Sequence, residues 1–62
     1  MAIMVAIQKY NRVKAYNEDN KEFLNKIGEL YGYNDNYVAV KTNESQVDIY
    51  DEDGQFVKSF SL

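Results

Sequence analysis

A chain of 62 residues with no cysteine and no histidine has few ways to hold itself folded. A domain of this length buries only roughly 60% of the surface its unfolded chain exposes. Small domains usually make up the shortfall with a disulfide, a structural metal or a partner subunit. Without cysteine there is neither a disulfide nor a thiolate zinc site. Without histidine the commonest transition-metal ligand and the usual neutral-pH general base are missing too. By elimination, the expected extra support is self-association. The length allows one domain, residues 1–62, with no linker to a second.

The hydrophobic class makes up 45% of the chain, but six of those residues are Tyr and four are Ala. The remainder suffices for a small two-layer core. Charges of both signs and an aromatic content of 15% argue against disorder. A net charge of −3 argues against general binding to nucleic acid or an anionic membrane. The apolar opening from Met1 to Ile7 is too short to span a bilayer and lacks the basic start of a signal peptide. A cytoplasmic location and no membrane partner are therefore expected.

Ile3, Val5 and Ile7 alternate with Met4 and Ala6, the pattern of a strand that is apolar on both faces. Continued as a strand, Tyr10, Arg12, Lys14 and Tyr16 share one face. Residues 8–17 stay open between strand, a bulge or hairpin turn at Asn11, and helix. A helix is expected next. Asp19 and Glu22 have capping-box spacing, and Phe23, Ile27, Leu30 and Tyr31 fall on one helical stripe. Gly32 suits the residue that ends such a helix. Gly28 inside it costs about 1 kcal/mol relative to Ala, which close approach of the helix to a sheet or a partner would explain. Three strands follow, at Tyr37–Thr42, Gln46–Asp51 and Gln55–Leu62, with a hairpin turn at Asp51-Glu52-Asp53-Gly54. The expected fold is α+β, in the order β-α-β-β-β, with the helix packed on one face of an antiparallel sheet.

Catalysis is not expected. A carboxylate pair, a Lys or a Tyr would have to replace His and Cys, and the clustered acids Asp48, Asp51, Glu52 and Asp53 surround an exposed hairpin rather than a desolvated cleft. The hairpin also fails as a calcium loop: with Gly54 at position 6, Ile49 falls at position 1 and Phe60 at position 12. No cofactor or metal site is expected. Charge, however, is unevenly placed. Lys9, Arg12 and Lys14 all precede Glu18, the first of the ten acidic residues.

One helix covers one face of a sheet. The two-sided first strand and the apolar last strand then need another cover. The expected cover is a second copy, held through Ile3, Val5, Ile7, Phe56, Phe60 and Leu62. The candidate surfaces for a separate protein target are Tyr10, Arg12, Lys14 and Tyr16, and the acidic Asp51, Glu52 and Asp53. The expected function is a non-enzymatic, homodimeric protein-binding regulator or inhibitor. The size, acidity and AT-rich codon bias of the residue types fit a phage or prophage factor that blocks a host protein, for example a defence protein. One alternative is a single-stranded nucleic-acid binder using the Tyr/Arg/Lys strand face, on which bases stack and phosphates meet cations. Another is a small structural or assembly subunit.

Overall fold

The computed structural model describes residues 2–62 and has no helix among them. Its seven strands are β1 (Ile3–Lys9), β2 (Arg12–Asn17), β3 (Glu22–Ile27), β4 (Glu29–Tyr33), β5 (Tyr37–Asn43), β6 (Gln46–Asp51) and β7 (Phe56–Ser61). They form two antiparallel sheets, β1-β2-β3 and β4-β5-β6-β7, each strand pairing with the next in sequence. The expected α+β fold is thereby corrected to an all-β one. With no helix present, none is long and apolar enough to cross a membrane among the described residues.

The stretch read as a helix is a turn followed by β3, Gly28 and β4. Two features made it look helical. Where the Asp19/Glu22 cap was expected there is a polar turn organised instead by Asn17, whose side-chain oxygen accepts hydrogen bonds from the Asp19 and Lys21 amides, at 2.9 and 3.0 Å. A short polar side chain satisfies backbone donors in the same way at a helix start and in a hairpin. The second feature is phase. Phe23 is an extra residue in the β2–β3 ladder, and Tyr31 is an extra residue in the β4–β5 ladder. Gly28 stands between the two strands. A period of two that slips by one residue at each of these points yields spacings of three and four.

Gly28 is the corner where the chain leaves one sheet for the other. Its φ of +147° lies in the region that favours glycine, and its N–H donates to the Asn11 carbonyl at 2.7 Å. A Cβ there would stand 2.7 Å from the Lys41 carbonyl oxygen and 2.8 Å from Val40 Cγ1. The corner folds the sheets onto each other. Ile3, Ala6, Val13, Ala15 and Leu24 from the first meet Val38, Val40 and Tyr50 from the second in a single core. Val13, Val38 and Val40 are fully enclosed. At the seam, the Ile3 amide donates to the Asp35 carbonyl at 2.9 Å and the Leu30 amide donates to Gln8 Oε1 at 3.2 Å.

Three more turns repeat the device seen at Asn17. Asn34 Oδ1 accepts from the amides of Asn36 and Tyr37, Asn43 Oδ1 from Ser45, and Asp51 Oδ1 from Asp53 and Gln55. The expected strands at 37–42, 46–51 and 55–62 match β5, β6 and β7 closely. Asn11 belongs to a two-residue hairpin turn with Tyr10, which carries a positive φ of 58°.

Alanine substitution separates the two readings by sign. In a helix, Gly28→Ala would stabilise by about 1 kcal/mol. At this corner it should destabilise by about 2–3 kcal/mol, a large part of the roughly 3–9 kcal/mol open to a domain of this length. Gly32→Ala should be tolerated, because nothing lies within 4 Å of a Cβ at that position. Thermal denaturation followed by circular dichroism reads both.

Candidate interaction surfaces

Strand pairing dictates which side chains share a face, and each sheet has one face turned away from the core. On β1-β2-β3 that outward face is a grid of three rows. Val5, Tyr16 and Glu22 form the first row, Ile7, Lys14 and Asn25 the second, and Lys9, Arg12 and Ile27 the third. The Arg12 guanidinium is held from the side, its Nε donating to Asn25 Oδ1 at 2.9 Å. Arg12, Lys14 and Tyr16 thus share a face as expected. Tyr10 does not join them; it sits in the hairpin turn with 88% of its surface exposed.

The outward face of β4-β5-β6-β7 is more apolar. Lys41, Val47 and Phe60 are cross-strand neighbours on it, as are Ala39, Ile49 and Lys58. Val47 is buried although it stands outside the central core. Gly32 and Ala39 pair directly and leave a depression for want of side chains. The result is a groove of about 510 Å³ walled by Tyr33, Tyr37, Val57 and Phe60, in which Lys58 is the one charged lining residue among the described residues. Lys58 Nζ lies 4.8 Å from the centre of the Phe60 ring. A second, more polar hollow of about 300 Å³ lies at the seam around Gly28, with Gln8, Glu29, Lys41 and Glu44 on its walls.

The six residues assigned to self-association are distributed over three places. Ile3 is in the core, because Met4 is an extra residue in β1 and turns Ile3 inward beside Ala6. Val5 and Ile7 are on the outward face of the first sheet. Phe56, Phe60 and Leu62 lie on β7 or just beyond it, all exposed. β7 pairs with β6 on one side only, and every residue in it is exposed. An extra residue at Val57 shifts the register, so Phe56 stands opposite Tyr50, with their rings edge to face at 6.0 Å.

The acids of the β6–β7 hairpin have unequal roles. The Asp51 carboxylate organises the turn, while Asp53 contributes its backbone amide to it. Gly54, at φ +80°, closes the turn against the Phe23 carbonyl. Among the described residues no group of three or more acids converges as a metal site would. Sequence reading missed Lys9, Asn25 and Ile27 on the basic face. Taking Tyr10-Asn11 as a two-residue turn would have paired Lys9 with Arg12 and Ile7 with Lys14 directly. Nothing local in the sequence marks the groove, which depends on the register of four strands.

Comparison with protein-family models, curated proteins and solved structures finds no match to this chain. Its function has to be read from these surfaces.

Tyr50 links the core to pH. Burial, and after it the neighbouring Asp48 carboxylate, raises its phenol pKa above the ordinary 10.0. The fold therefore favours the neutral phenol. Stability from this group is complete below pH 10 and is lost as pH rises from there through the folded-state value. Urea denaturation in a pH series should show an alkaline decline that Tyr50→Phe reduces.

Proposed function

We propose that this chain is a non-enzymatic, cytoplasmic protein-binding regulator or inhibitor that acts as a homodimer, of the kind a phage or prophage uses to block a host protein. The observation that carries the reading is β7. Among the described residues it is a sheet edge with no strand on its other side, exposed over its whole length, and it bears Phe56, Val57 and Phe60. Such an edge offers a row of backbone donors and acceptors to another strand, and folded proteins ordinarily cover or blunt it. Pairing at an edge takes affinity from the backbone and specificity from alternate side chains.

The occupant that best fits the edge is β7 of a second copy. A two-fold axis normal to the sheet keeps outward faces together. An axis at Lys58 would set two ammonium groups opposite each other, which destabilises a ladder. An axis at Ser59 sets Lys58 against Phe60 of the second copy, repeating across the seam the cation–ring contact each chain already makes. It also keeps residues 58–60, beyond the extra residue at Val57, in register and joins the two apolar grooves side by side. This argument replaces the one from a helix-covered sheet, since the second sheet of the same chain covers the inner face of the first.

The groove beside β7 supports binding rather than catalysis. Its lining is mostly apolar and aromatic, and among the described residues it holds no pair of carboxylates. The nucleic-acid alternative loses one of its two aromatics, because Tyr10 leaves the face that Arg12, Lys14 and Tyr16 share.

Sedimentation equilibrium at micromolar concentration should give twice the 7.2 kDa chain mass. Ser59→Lys, at an exposed position on the proposed axis, should weaken the dimer by about tenfold or more while leaving the monomer folded. A 7.2 kDa species at every concentration overturns the homodimer.

A further inference from the structure

We infer that the outward face of β1-β2-β3 is a docking surface for an extended, acidic segment of a partner protein, held by Lys9, Arg12 and Lys14. This rests on the reading of the chain as a binding protein, and it does not require the dimer.

Two departures from the most stable arrangement meet in the β1–β2 hairpin. Lys9 stands directly opposite Arg12, a like-charge pair across the ladder, although the chain has ten acidic residues from which to choose. The two-residue turn between them needs a positive φ at its first position, and the residue there is the bulky Tyr10, at φ 58°, rather than the usual Gly, Asn or Asp. Sites that break local rules without a structural gain are where function is expected. Glu22 is the one acid on the grid, and it lies in the row farthest from Lys9 and Arg12. None of the three cations forms an ion pair within the described residues.

The chemistry of the face names its ligand. Arg12 is fixed by Asn25, which leaves the outer end of its planar guanidinium to form the two-pronged bond that carboxylates accept. Arg12 and Lys14 are two residues apart on one strand, a separation of about 6.8 Å. Every second side chain of an extended peptide repeats at that same distance, so carboxylates at alternate positions would meet both cations. Ile7 and Ile27 flank these cations as direct cross-strand neighbours, and they take apolar side chains. With aliphatic flanks and one aromatic, Tyr16, the face suits a peptide better than stacked bases. The net charge of −3 makes the cluster stand out further, since acidic partners are repelled elsewhere on the molecule.

The probe is a fluorescein-labelled peptide of alternating Glu and Val, with an alternating Gln and Val peptide and an oligothymidylate as comparisons, read by fluorescence anisotropy. The acidic peptide should bind at low salt, weaken as salt is raised, and exceed the Gln peptide by at least tenfold. Arg12→Gln should weaken it about tenfold, and Lys58→Gln, on the other sheet, should not. Lys9→Glu carries the discriminating signature: it should raise the melting temperature by relieving the like-charge pair while reducing binding at least tenfold. Ser59→Lys should leave peptide affinity unchanged, so failure here is separate from failure of the dimer. Equal binding of the Gln peptide, an Arg12 variant that binds like the parent, or an oligothymidylate that displaces the acidic peptide overturns the proposal.

Discussion

The structure depends on one backbone corner. At Gly28 the chain turns out of the first sheet and into the second, and the space against Lys41 and Val40 admits no side chain. That turn lets five side chains from one sheet meet three from the other. A small sheet with one unburied apolar face is marginal in water. Each sheet here supplies the cover the other lacks, so neither set of hydrogen-bonded ladders has independent support. The missing layer implied by a small, uncross-linked chain is thus supplied from within.

Folding inward in this way leaves two outward faces of different character. The first sheet presents three cations among aliphatic side chains, and the second presents an apolar groove that ends at an open edge. Small residues shape the groove, since Gly32 and Ala39 lie side by side where larger residues would fill it. The same meander that builds a core from successive antiparallel neighbours must end in an edge, and β7 is that edge. Among the described residues no strand pairs with its other side.

The carboxyl-terminal half of the fold was legible because its strands alternate and its turns are marked. Val38 and Val40, two apart in the expected strand 37–42, share a face and are fully buried together. Asp51 to Gly54 was expected as a turn and is one. The middle of the chain was misread because three single-residue interruptions, at Phe23, Gly28 and Tyr31, give a broken strand the spacing of a helix. The local polar signal at residues 17–21 was genuine, but the same hydrogen bonds serve a hairpin. Of the candidate surfaces, Arg12, Lys14 and Tyr16 stayed together because residues two apart on a strand always share a face. Tyr10 left that face because the hairpin reverses at Tyr10 and Asn11.

The sequence by itself determined that no disulfide or histidine-bound metal could support the fold. It also determined that a polar turn lies at Asp51 to Gly54. These follow from composition and from interactions between near neighbours. The tertiary structure alone decided that residues 22–33 are strands and that Ile3 faces the core. It alone decided that Lys9 joins Arg12 and Lys14 on one surface. Those outcomes depend on register between strands and on the corner at Gly28. A shift of one residue in register moves every following side chain to the opposite face.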